Sequence, residues 1–187
     1  MPLTPPMGRV VAIDPCRIAG VSYGEGDMPQ DVPTGIGGVR VEIYRGSARL
    51  KLINSAGKGV GSIVLVGPTT VDFKKSTLFF PIGFTLNAGS IDCESNANEC
   101  QLTIGAGTCS IVTTGTHFQV DRNKSDVKVS VFEGSVSVTP SGLPAETILY
   151  GNKGNVGPTT SGSLGLNRGT MDSVEKQFHN TGPAHWR

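Results

Sequence analysis

The chain has 187 residues, with 26 glycines, 12 prolines, 17% charged residues and a net charge of +1. That length is enough for one domain with a real hydrophobic core. The near-neutral balance, with no basic block interleaved with aromatics, argues against a nucleic-acid partner. No stretch approaches the roughly 20 apolar residues of a membrane-spanning helix.

The first eight residues, Met1 to Gly8, form a proline-rich arm that includes Pro5 and Pro6. The arm lacks the basic start and apolar core of a secretion signal, so either the protein is not secreted this way or a leader is missing. Arg9 to Ile13 is a short strand candidate ended by Asp14-Pro15. Residues 20–38, rich in Gly, Pro and Asp, read as a long loop. Val39 to Tyr44 alternates cleanly, with Val39, Val41 and Ile43 on one side. Gly46-Ser47 turns the chain, and Ala48 to Ile53 alternates again. Such alternation makes a strand with one buried face, and charged residues within it, such as Arg49 and Lys51, fall on the wet face.

Ser62 to Val66 is continuously apolar and is expected to lie deeper, with Gly67-Pro68 ending it. Strand candidates follow at 69–73, 77–80, 84–86, 90–93, 101–104 and 109–112. The clearest period-2 passage is Gly115 to Val138. There Val127, Val129 and Val131 oppose Lys128, Ser130 and Phe132, and Val136 and Val138 resume the pattern after Glu133-Gly134. A short Glu-Gly link of this kind reads as a tight reversal or a corner. Glu146 to Tyr150 is the last strand read from the pattern. The Gly/Ser/Thr-rich segment 151–169 reads as a linker, and Met171, Val174 and Phe178 have the spacing of one face of a short helix. The fold class is therefore all-β: short strands in a β-roll, a solenoid-like stack or a sandwich, with an extended N-terminal arm and a C-terminal tail.

Four cysteines, Cys16, Cys93, Cys100 and Cys109, contain no Cys-x-x-Cys pair. Cys93 and Cys100 flank a polar loop, which suits either a disulfide or two separate thiols. Cys16 and Cys109 are a second possible pair, with connectivity left open. His117 could be imagined with Ser110, Ser130 and Asp121 as a hydrolytic set, but no nucleophile elbow accompanies them. His179, His185, Asp172 and Glu175 match no metal-binding spacing. No catalytic residue, metal or cofactor is expected.

Several short motifs occur in a telling order. They are Ala48-Arg-Leu-Lys-Leu52, Gly61-Ser-Ile-Val-Leu65, Gly67-Pro-Thr-Thr70, Leu86-Asn-Ala-Gly89, Gly115-Thr-His-Phe-Gln-Val120 and Val127-Lys-Val-Ser-Val-Phe-Glu-Gly-Ser-Val136. Together they resemble the FecR-like domain over residues 39–157. The resemblance implies a β-roll or solenoid-like all-β domain, framed by residues 1–38 (arm, short strand and loop) and 158–187 (linker and tail). Members that transduce iron-siderophore signals also carry a cytoplasmic anti-sigma segment, a membrane span and a further signalling subdomain; only the β module finds a counterpart here.

Two functional expectations follow. The first is a non-enzymatic structural protein, a subunit of a virion or extracellular filament. Its arm and tail (Pro5, Pro6, Phe178, Trp186) would contact other copies of itself, which places it outside the cell, at its surface or in a virion. The alternative is a periplasmic or cell-surface sensor that binds a protein partner, as the resemblance implies. A fold of this kind does not by itself choose between them.

Overall fold

A computed structural model describes residues 8–34, 38–74, 82–96, 99–158 and 164–170. Pro5, Pro6, Phe178, Trp186, the strand candidate at 77–80 and the helix expected after 170 lie outside these residues. No helix among the described residues is long and apolar enough to cross a membrane.

The architecture turns on two long strands, β7 (Gly59–Phe73) and β8 (Ile82–Ser95). Both are bent, and their mutual register shifts between Val66 and Thr70, where Gly67-Pro68 interrupts the ladder. Proline has no N–H to give, so a bulge here re-aims the strand without ending it. Residues 61–66 of β7 pair with 90–95 of β8, and residues 70–73 pair with 84–88. Each half of the two strands nucleates its own layer.

The front layer begins at β4 (Gln30–Val32), which pairs with β1 (Arg9–Ala12), itself paired with β6 (Ser47–Ile53) on the early half of β7. Beyond the late half of β8 come β11 (His117–Asn123), β12 (Asp126–Glu133), β15 (Asn152–Pro158) and β16 (Leu164–Thr170). The back layer begins at β3 (Val21–Tyr23) and runs through β2 (Cys16–Ile18) and β5 (Val39–Ile43) to the late half of β7. It continues from the early half of β8 through β9 (Gln101–Ala106), β10 (Cys109–Thr114), β13 (Ser135–Pro140) and β14 (Glu146–Leu149). Among the described residues sixteen strands thus form one open sheet folded into two layers, a sandwich rather than a closed barrel. Among the described pairings only β8 with β9 is parallel.

After β8 the chain advances by hairpins that alternate between layers. β9–β10 lies in the back, β11–β12 in the front, β13–β14 in the back and β15–β16 in the front. The crossings fall at Gly115, Gly134 and Gly151, all with positive φ. Glu133-Gly134 is therefore a corner and not a hairpin: β12 and β13 belong to different layers and do not pair.

The alternation read from the sequence points inward as expected. Val127, Val129, Val131, Val136 and Val138 join Phe73, Phe84 and Phe118 in one buried core. The Phe73 and Phe84 rings, 5.3 Å apart, pack together where the late half of β7 pairs with the start of β8. Residues 62–66 are more deeply buried than a one-faced strand, with Ile63, Val64 and Leu65 all inaccessible or nearly so.

Two expectations are corrected. The loop at 20–38 contains β3, a 3-10 turn (Glu25–Asp27) and β4, which extend both layers at one end. The segment 151–169, read as a linker, contains β15 and β16, which pair over seven residues. Its glycines serve close packing: a Cβ at Gly154 would run into Ile148 of the opposite layer and Leu166 of the neighbouring strand.

Candidate functional site

The residues that sequence reasoning brought toward a hydrolytic set are dispersed. His117 opens β11 in the front layer, and Ser110 sits on β10 in the back layer. Asp121 accepts hydrogen bonds from Ser90 Oγ and, at 3.0 Å, from Gln119 Nε2. It is thus tied to its own neighbours on β8 and β11. Ser130 stands opposite Gln119 in the ladder and is buried.

The acid that His117 does meet is Asp92 on β8, at 2.9 Å from Nε2. Antiparallel pairing sets Glu94 opposite His117 and Asp92 opposite Gln119, so Asp92 is a diagonal neighbour. Asp92 is only 2% exposed. The His117 ring lies 5.7 Å from that of Phe132. Burial alone would lower the His117 pKa. The Asp92 hydrogen bond, with the charges of Asp92, Glu94 and Glu133, outweighs burial and leaves it raised. The pair therefore favours the protonated imidazole, and Ser110 lies in the other layer. Among the described residues no three His, Cys, Asp or Glu side chains gather in a metal-sized cluster.

The cysteines change the disulfide expectation. Cys16, Cys93, Cys100 and Cys109 are all free and buried. Cys16 and Cys109 are five strands apart in the back layer, about 24 Å at roughly 4.8 Å per strand, far beyond disulfide reach. Cys93 points into the core between Ile63 and Phe118 in the ladder, and Cys100 precedes β9. Burial pushes the thiols up, to about 11 for Cys16 and Cys109 and about 12 for Cys100. Cys93 is raised further by burial, with the charges of Asp92 and Cys100 adding to it. These are small apolar fillers and not nucleophiles.

An accessible cleft lies at the end of the sandwich that closes on β14 and β16. Among the described residues β14 pairs only with β13, and β16 only with β15. The Tyr150 N–H donates to the Gly134 carbonyl at 3.0 Å, one step beyond the Leu149–Ser135 pair. In an antiparallel ladder this makes Leu149–Ser135 a non-hydrogen-bonded pair. Leu149, and Thr147 two residues before it, therefore turn their N–H and C=O groups to the open edge. Leu149 is 58% exposed and the adjacent Tyr150 is 65% exposed, both unusual for large apolar side chains beside a core. A cleft of about 330 Å³ runs along β14, between the edges of the two layers. Ile148, Asn152, Lys153, Arg168 and Thr170 contribute to its walls. Arg168 Nη2 reaches Glu146 Oε2 at 2.6 Å across the mouth. Sequence reading identifies the strand at 146–150 but not this edge, because the segment 151–169, which contains β15 and most of β16 on the other side of the cleft, reads as a linker.

The comparisons with known proteins bear on the scaffold. A family described as FecR protein matches residues 61–137, the span from the early half of β7 through the Gly115 and Gly134 corners into β13. No curated protein matches the chain. Two solved structures of a candidate anti-sigma factor from Parabacteroides distasonis are similar in fold, each at 12% identity, with TM-scores of 0.58 and 0.57. The likeness covers 76% and 75% of this chain, and the chain spans 64% of the length of those structures. At that identity the likeness concerns the fold. The motif order, the two-layer sheet and the family match fall on the same residues, so residues 61–137 of the chain are similar to the FecR family within a fold shared with those structures.

Proposed function

We propose that the chain is a non-enzymatic signalling module that works by binding a protein partner. The observation that carries this reading is the match of residues 61–137 to the FecR family. The fold likeness to a candidate anti-sigma factor agrees with it. The chemistry agrees with it: His117 is held by the buried Asp92, Ser110 lies in the other layer, and the thiols are buried. The family match favours this reading over that of a virion or filament subunit; the contact candidates of the latter, Pro5, Pro6, Phe178 and Trp186, lie outside the described residues.

Light scattering and electron microscopy on the purified chain, followed by in-cell crosslinking, test it. A discrete species that crosslinks stoichiometrically to a different protein supports the reading. Regular filaments or shells of this chain alone would return the structural-subunit reading in its place.

A further inference from the structure

We infer that β14 is a strand-addition edge that takes an extended, acidic segment of a partner protein, paired to Thr147 and Leu149 with a carboxylate lodged in the cleft against Arg168. The inference rests on the reading of the chain as a partner-binding module and specifies where and what it binds.

Three observations converge on this edge. The hydrogen-bond phase set by Tyr150 and Gly134 leaves two N–H and two C=O groups facing outward, the set that an added antiparallel strand would use. Leu149 and Tyr150 give an exposed apolar rim, where an ordinary edge strand is defended by charge, proline or a bulge. A strand added here alternates its side chains. One set lies over Leu149 on the outer surface. The other set points into the cleft beside Ile148, where Lys153 and Arg168 are the charged residues among those described that line the wall, with Glu146 bound to Arg168 at the mouth. A planar guanidinium favours a carboxylate. An incoming acid would share or replace Glu146 as the partner of Arg168. The edge strand at the far end of the same layer, β3, lacks this cleft among the described residues.

The probe is a capped octapeptide of alternating valine and glutamate, titrated into the isotopically labelled full chain and followed by amide NMR, with an alternating valine–lysine peptide as control. The expected result is that the glutamate peptide shifts the Thr147 and Leu149 amides and binds more tightly than the lysine peptide by about two- to fivefold, the range of an exposed ion pair. Leu149→Pro removes an outward N–H without touching the β13 ladder, and abolishes the shifts. Arg168→Glu reverses the preference toward the lysine peptide, a readout that keeps the test valid if the proline variant unfolds. Shifts centred on Val21 or elsewhere, equal binding of both peptides, or no shift at millimolar peptide would overturn the inference. If the partner complex found by crosslinking survives Leu149→Pro, the edge assignment falls and the signalling reading stands. If the chain meets only itself, both fall.

Discussion

Gly134 rests against Gly115: a Cβ built on Gly134 would lie 2.8 Å from the Gly115 carbonyl oxygen. These two residues form successive corners at which the chain passes between layers, and both have positive φ. The Gly134 carbonyl also accepts the Tyr150 N–H, so the corner that ends β12 sets the hydrogen-bond phase of β14. A conformation chosen by one glycine thus fixes which main-chain groups face the open edge.

Gly134→Ala should therefore be among the most damaging single-methyl changes in the protein. Positive φ costs about 1–2 kcal/mol for a residue with a Cβ, and the contacts with Gly115 and Thr116 add about 1–3 kcal/mol of overpacking. The expected loss is about 2–5 kcal/mol in urea unfolding. A loss below about 1 kcal/mol would mean that the corner relaxes freely and does not set the phase of β14.

The thiols give a second expectation. All four are free, buried and held protonated. A thiol reagent near neutral pH should leave the native chain unlabelled for as long as it stays folded, and should modify all four cysteines once urea unfolds it. Labelling of only two cysteines in the unfolded, unreduced chain would demonstrate a disulfide, with Cys93 and Cys100 the first pair to examine.

Much of the sheet was legible because burial on one face writes alternation into the sequence, as in β5, β6, β12 and β13. The long strands were not, because Gly67-Pro68 and Asn87 to Gly89 look like breaks, whereas the chain bends through them and keeps pairing. β15 and β16 were hidden for another reason. Their composition is that of a linker, yet Gly154 is glycine because Ile148 and Leu166 occupy the space. At the sites, a half-buried His117 was readable from the alternation. Its partner Asp92 was not, since only the β8–β11 register brings positions 25 apart in sequence together.

The contact between Gly154 and Ile148 is a direct probe of how the two layers close at the end that carries β14 and β16. Gly154→Ala forces a methyl against the Ile148 side chain and should cost about 1–3 kcal/mol. Ile148→Ala opens a cavity at a buried position and should cost about 2–5 kcal/mol. The double variant should lose less than the sum, by about 0.5–3 kcal/mol, because the truncated side chain makes room for the methyl. Additive losses in chemical denaturation would show that the layers do not meet at this point.

His117 makes stability depend on pH in a defined direction. Its pKa in the folded chain is raised from the ordinary value of 6.5, with burial opposing and the Asp92 hydrogen bond, then Asp92, Glu94 and Glu133 charges, prevailing. A raised histidine pKa means that the folded state binds the proton more tightly than the unfolded state. The stabilisation is fully present below the unfolded pKa of about 6.5 and is lost as pH rises through the folded value. His117→Gln should therefore lower the urea midpoint most at about pH 5–6, with the gap to the native sequence narrowing toward about pH 8–9. Direct titration of the His117 ring by NMR should give a midpoint above that of the unfolded chain. A gap that widens with pH would mean that burial prevails over Asp92, and that the pair is a neutral hydrogen bond rather than a held charge.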